Sequence, residues 1–285
     1  VKLSCVVLTR GDRPFALERA VMSVLRQRGD PIEVIVVGNG AHVTGLPAGA
    51  RAVSLPDNVG IPAGRNLGVA KTSGDVVLFL DDDGWLVDNT AAEHLRALFD
   101  ADASLGVVSF RIRDPAGGRG ERRHVPRLRA GDPHRSSYVT TFLGGACAVR
   151  REVLDRCGPF PDAFFYGHEE TDLAWRALDA GYRIRYDADV VMYHPAGAPT
   201  RHADFYRRNA RNRVWLARRL LPWPLAAVYL LDWVALTVVR VRRPAALRVW
   251  FDGFAEGWRT PAGPRTPIRW RTVVTMTRLG RPPIV

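Results

Sequence analysis

The stretch VLFLDDDG, residues 77–84, constrains the fold more than any other part of the chain, because four apolar residues run directly into three adjacent carboxylates. A short apolar run of this kind reads as a strand buried on both faces, and such strands belong to parallel sheets covered by helices. Its acidic end must face something other than core. In extended chain Asp81 and Asp83 point one way and Asp82 the other, and two convergent carboxylates do not both stay ionised in a cleft without a cation. Ligands of open parallel sheets bind beyond the carboxyl ends of the strands. A hard divalent ion, Mg²⁺ or Mn²⁺, would supply the missing charge there and keep coordination sites for diphosphate oxygens. A solvated acidic turn is the plain alternative for the tripeptide taken alone.

The neighbouring sequence supports a sheet. LSCVVLTR (3–10) reads as a buried strand, and PFALERAVMSVLRQ (14–27) puts Leu17, Val21, Val24 and Leu25 on one helical face behind Pro14. IEVIVVGNG (32–40) and RAVSL (51–55) read as further strands, and VGIPAGRNLGVAKT (59–72) as a helix. This alternation predicts an α/β fold with a mainly parallel central sheet flanked by helices. Residues 114–137, rich in Gly, Pro and Arg, read as a mobile surface loop. A second α/β stretch follows, through GGACAVRREVLDRCG and DLAWRALDAGYRIRY. The N-terminal stretch reads as a first strand and turn, too short for a signal peptide. Cys5, Cys147 and Cys157 form no CxxC pair or disulfide framework, which suits a reducing compartment.

Six stretches in order resemble the family 2 glycosyltransferases of the GT-A fold: CVVLTRGDRP, NVGIPAGRNLGV, VLFLDDDG, GGACAVRREV, HEETDLAWRALDAGYRI and VVMYHP. The resemblance runs through residues 3–215. It implies an inverting, metal-dependent transfer of sugar from a nucleotide-diphosphate sugar to a hydroxyl of a glycan, lipid-linked or small-molecule acceptor. It implies that Asp81 lies near the donor ribose and diphosphate, and that Asp83, Asp81 and His194 hold the metal. Asp82, Arg65 and Asn66 would line the donor pocket, with Thr9 and Arg10 over the base. Gly144 and Gly145 in LGGAC match the loop under the donor sugar and acceptor. The family's acidic residue after the second strand is replaced by Gly38, so Asn39 or Asp57 is expected to compensate. Gly60, Gly64 and Gly68 recur at four-residue spacing, which reads as close helix–sheet packing.

The same resemblance assigns the catalytic base to Glu170, with Glu169 next, where the family carries an aspartate. A base for a hydroxyl proton needs a carboxylate held in a buried position. Asp172 is read as capping the helix LAWRALDA on the acceptor side.

The last 85 residues differ in character. Residues 1–200 carry 24 Lys and Arg against 25 Asp and Glu, whereas residues 201–285 carry 17 Arg against four acidic residues. Residues 1–200 are therefore read as the catalytic domain, with 1–83 as the nucleotide-sugar half and 84–200 as the acceptor half. Residues 201–285 are read as a basic helical extension. LLPWPLAAVYLLDWVALTVV (220–239) is long enough to span a bilayer, although Asp232 near its centre opposes that. A spanning helix, an interfacial helix on anionic lipid and a buried helix are all compatible with the pattern. The expectation is a cytoplasmic protein peripheral at the inner face of the cell membrane, without nucleic-acid binding, for which no stacking platform appears. Two rival functions are a sugar-nucleotide pyrophosphorylase and a non-catalytic sugar-nucleotide or membrane-binding scaffold.

Overall fold

Alternation of small apolar side chains along β1 (Leu3–Thr9) sends Leu3, Cys5 and Val7 to one face of the sheet and Val6 to the other. The same period of two divides the following strands, so the sheet separates two cores. The computed structural model describes residues 1–117, 124–127, 132–195 and 204–284. Part of the 114–137 loop lies outside the described residues.

On one face lie α1 (Pro14–Leu25) and α3 (Ala91–Ala101), packed through Leu17, Val21, Val24, Leu95 and Phe99. On the other lie α2 (Ile61–Ala70), α4 (Arg151–Cys157), α5 (Glu169–Asp179) and α6 (Phe205–Leu220). A Cβ on Gly64 would come 2.5 Å from Leu8, and one on Gly68 would overlap Val6. The missing side chains are therefore what lets α2 lie on the sheet, as the glycine spacing suggested. Gly60 differs. It precedes α2 at φ 88° and makes room for Phe165, where a Cβ would meet the backbone at 2.7 Å.

Among the described residues the sheet has nine strands, eight of them in the order β3-β2-β1-β4-β8-β6-β9-β5, with β7 (Ser137–Val139) also paired to β9. β2 (Glu33–Asn39), β3 (Ala50–Leu55) and β4 (Val76–Asp81) join β1 in parallel, as the sequence predicts. The second half is mixed. β8 (Ala146–Arg150) enters antiparallel between β4 and β6 (Leu105–Arg113), and β9 (Arg183–Tyr193) then runs parallel to β6. β5 (Trp85–Leu86) closes the edge against β9.

The C-terminal helices α7 (Trp223–Arg240), α8 (Pro244–Arg259) and α9 (Trp270–Arg278) pack onto α6 and α5. Val214, Leu216, Leu220, Ala226, Tyr229 and Val273 share one apolar core with Leu173, Ala174 and Trp175 of α5. Packing is thus continuous across residue 200.

Candidate functional site

The carboxyl ends of β1, β2 and β4 open on a cleft of about 610 Å³, closed on its far side by the first turns of α5 and α6. β4 ends at Asp81, where the Gly84 N–H donates to the Asp81 carbonyl (3.0 Å) and turns the chain. Asp82 accepts the Thr9 hydroxyl at 2.6 Å and lies 3.4 Å from Arg13. Burial raises its pKa despite these partners. Asp83 pairs with Arg13 and lies 3.1 Å from His194 Nε2, which is itself 3.7 Å from Asp81. The carboxylates therefore divide as expected, Asp81 and Asp83 together and Asp82 apart, although a turn and not extended chain divides them.

His194 tests the fit of a metal. Its Nδ1 lies 2.8 Å from the Pro195 carbonyl, which can only accept, so Nδ1 carries the proton. Nε2 then faces both carboxylates, an arrangement favourable either with a proton on Nε2 or with a cation shared between the three groups. Burial acts to lower the His194 pKa, but Asp83 and Asp81 together outweigh it and raise it. Two carboxylates and an imidazole are a donor set suited to Mg²⁺ or Mn²⁺. A second cluster, His94, Asp187 and Asp189, lies away from the cleft. Its Asp187 already accepts from Arg185 (2.7 Å) and from the backbone N–H groups of Asp189 (3.0 Å) and Val190 (3.3 Å), and so holds a strand irregularity together.

Glu169 and Glu170 are the first residues of α5, and Glu169 does not line the cleft. Glu170 lines the cleft, and burial together with the neighbouring Glu169 pushes its carboxyl up from 4.5 to about 8. Glu169 is 3% exposed, lies 3.6 Å from Arg65, and has one carboxylate oxygen without a hydrogen bond among the described residues. The preceding loop is strained, with Phe165 at φ 63° and His168 at φ 72°. Such strain in non-glycine residues persists where surrounding contacts enforce it, commonly at functional sites. Here the Phe165 carbonyl accepts the Ile61 N–H (2.7 Å), and Asn212 of α6 donates to the Phe164, Tyr166 and Gly167 carbonyls at 2.8–3.0 Å.

Thr9, Arg10, Asn39, Asp81, Asp82, Asp83, Gly144, Gly145, Glu170 and His194 all line the cleft. Asn39 does so with its amide fully engaged, by Asn58 (2.9 Å), the Gly60 carbonyl (3.1 Å) and the Val59 N–H (2.8 Å). It shapes the 58–60 loop, and the loop at Ala41 folds so tightly over Gly38 that no side chain fits there. Gly144 and Gly145 are glycines because a Cβ would overlap Arg65 and the Asp81 carboxylate respectively.

Four expectations are corrected. Arg65 does not line the cleft; it is 5% exposed behind it, bracing Asp81 (3.3 Å) and Glu169. Asn66 bonds to the Phe160 backbone and to Asp162, and so anchors a loop. Asp57 is exposed and outside the cleft lining. Asp172 neither caps α5, whose cap is His168, nor reaches the cleft; it is fully buried between Arg176 (2.7 Å) and Arg219 (2.9 Å). Sequence order alone cannot tell a residue facing the cleft from one on the opposite side of the same helix turn.

The sequence reading missed Arg13, His124, Tyr166 and Arg208, all in the cleft lining. Arg13 sits three residues past Arg10, and nothing in the sequence marks it as the partner of Asp82 and Asp83. Arg208 comes from α6, with its guanidinium 3.9 Å from the Phe165 ring. His124 belongs to the stretch read as a loop, with its ring 6.4 Å from that of His194.

The profile of Glycosyl transferase family 2 matches residues 4–158, more than half the chain, and the chain belongs to that family. It is similar to the pre-mycofactocin glycosyltransferase of Mycobacterium tuberculosis, 28% identical over 215 residues, covering 66% of this chain and 42% of that protein. It is also similar to glycosyltransferase AglE of Haloferax volcanii, 31% identical over 185 residues, covering 58% of this chain and 57% of that protein. The chain thus spans roughly half the length of these relatives or less. The mannosyltransferase PcManGT of Pyrobaculum calidifontis, solved with GDP-Man and Mn²⁺, shares the fold with a TM-score of 0.59 at 21% identity over 98% of this chain and 84% of that one.

Proposed function

We propose that this protein is a metal-dependent inverting glycosyltransferase that takes its sugar from a nucleotide-diphosphate donor. The observation that carries the reading is the opposition, across one cleft, of the Asp81, Asp83 and His194 donor set to a Glu170 carboxyl raised to about 8. Family membership and the fold shared with a structure containing GDP-Man and Mn²⁺ support it.

Asp81, Asp83 and His194 would hold a divalent cation, which would supply the positive charge that a departing nucleoside diphosphate needs. Arg13 pairs with Asp82 and Asp83, Arg10 adds positive charge to the cleft, and Arg208 of α6 is paired with Asp204. Arg65 and Gly145 fix the Asp81 carboxylate from behind. Glu170 in its ionised form takes the proton from the acceptor hydroxyl as that oxygen forms its bond to the anomeric carbon and the bond to the diphosphate breaks. A single displacement of this kind inverts the anomeric centre. Calorimetry with UDP, GDP and dTDP in Mn²⁺ and in EDTA tests the metal reading. The preferred nucleotide should bind at least tenfold more weakly in EDTA; equal affinity would remove the metal from the proposal.

We also infer a location against anionic membrane. Only 22% of the apolar α7 window is buried, and Leu231 and Val239 are 69% and 74% exposed. The opposite side of α7, with Ala226, Tyr229 and Leu230, packs on the protein. A helix with one face docked and an apolar face open, ending near Arg240, Arg242 and Arg243, favours lying in the interface over spanning.

A further inference from the structure

Glu170 has a second side. A smaller cavity of about 210 Å³ lies there, sharing Leu143 and Glu170 with the donor cleft. Its walls include Trp175 of α5, Arg213 of α6, and Tyr229 and Trp233 of α7. Arg213 is only 9% exposed, yet its partners are neutral: the Tyr229 hydroxyl (3.0 Å), the Asn209 side-chain oxygen (3.1 Å) and the Trp233 ring, 3.3 Å from the guanidinium carbon. Among the described residues no carboxylate pairs with Arg213 and no acceptor meets its Nη2. Two other arginines near the site behave differently, since buried Arg65 pairs with Asp81 and Glu169 and half-buried Arg219 with Asp172. His168 also lines the cavity. It takes the Asn209 amide at 3.2 Å and is kept neutral by burial and by Arg213 and Arg281. A buried guanidinium without a counter-anion is costly, and a ligand that brings one recovers that cost.

We propose that this cavity is the acceptor subsite and that it binds an oxyanion, phosphate or carboxylate, attached to the acceptor beside an aromatic or apolar group. The inference rests on the glycosyltransferase reading for the word acceptor, but not for the binding itself. An oxyanion on Arg213, beside the Trp175 and Tyr229 rings that line the cavity, leaves the rest of the molecule facing Glu170, where a hydroxyl would be deprotonated. The C-terminal helices thereby supply the acceptor side of the site.

Calorimetry on the full chain in EDTA, with phenyl phosphate, phenylacetate and benzyl alcohol as probes, tests this. EDTA keeps divalent ions off Asp81 and Asp83, so that anions are not drawn to the donor cleft through a metal. At least one oxyanion should bind tenfold or more tightly than benzyl alcohol, and the tighter of the two names the group. Arg213→Gln should lower that affinity at least tenfold, and Arg213→Lys should restore part of it. Equal binding of all three probes, or unchanged affinity in Arg213→Gln, would overturn the proposal. Should Arg213→Gln lose its folded circular dichroism, Arg281→Gln, at the edge of the same cavity, takes its place; unchanged affinity there counts equally against it. Nucleotide binding in Mn²⁺ is measured in parallel, so oxyanion binding without it would end the donor reading and leave the cavity standing.

Discussion

Gly145 lacks a side chain because the Asp81 carboxylate fills the space a Cβ would take. Gly145→Ala should therefore displace Asp81 while leaving most of the core intact. We expect at least a tenfold loss in Mn²⁺-dependent nucleotide affinity by calorimetry, with only a small change in melting temperature. Glu170 carries a different expectation. Its pKa is raised from 4.5 to about 8 by burial and by Glu169. A base must be ionised to act, so kcat/KM, which reports the free enzyme, should climb with pH through about 8 and level off above it. Glu170→Gln should abolish transfer and leave donor affinity nearly unchanged; an active variant would move the role to Glu169. The same shift acts on stability with opposite sign. Between 4.5 and about 8 the folded chain holds a proton that the unfolded chain has released, so this group's contribution declines as pH rises through that window.

At the scale of elements, α5 is joined to α6 by one buried carboxylate. Asp172 is fully buried and accepts from Arg176 on its own helix and from Arg219 on α6. Removing one partner from a buried ion network leaves unpaired charge, at a cost of about 3–5 kcal/mol. Asp172→Ala should lower urea-unfolding stability by that order, and Glu170 should lose its position as α5 loosens. A loss under 1 kcal/mol would show that the arginines find other partners. α6 ties the loop before Glu170 in the same manner, through Asn212. The glycine face of α2 belongs to this scale as well. It was readable as spacing, because close packing against a strand requires small residues at every fourth position.

For the whole molecule, the charge excess divides into two uses. Arg211, Arg218, Arg219, Arg265 and Arg269 donate to backbone carbonyls and so cross-link the C-terminal helices to one another and to the core. Arg240, Arg242, Arg243, Arg248, Arg271 and Arg278 remain exposed. Among the described residues, ten of the fourteen exposed large apolar side chains lie in the same C-terminal region, from Trp223 to Val274. Each exposed arginine near an anionic leaflet adds about 1 kcal/mol, screened within a Debye length, while the apolar contribution resists salt. Flotation with anionic vesicles should show binding that weakens with salt without vanishing, and neutral vesicles should bind poorly. Leu231→Glu with Val239→Glu should release the protein without unfolding it. Retention of that double variant on anionic vesicles would exclude α7 as the contact.

Local pattern determined a great deal here. The first strands and helices, the acidic strand end and the glycine face of α2 were legible because burial period and steric need act within a few residues of chain. The order of the motifs also placed Asp81, Asp83, Glu170 and His194 on the cleft that the structure forms. Contacts between distant segments were not legible. Whether Arg65 touches ligand or braces Asp81, whether Asp172 caps or cross-links, and that Arg13 pairs with Asp83 depend on which side of an element faces a partner 16 to 70 residues away. The antiparallel entry of β8 and the wall that α6 and α7 build beside Glu170 are decided likewise by packing across the whole fold. A local sequence carries its own periodicity, but its partner is chosen by the sheet that assembles around it.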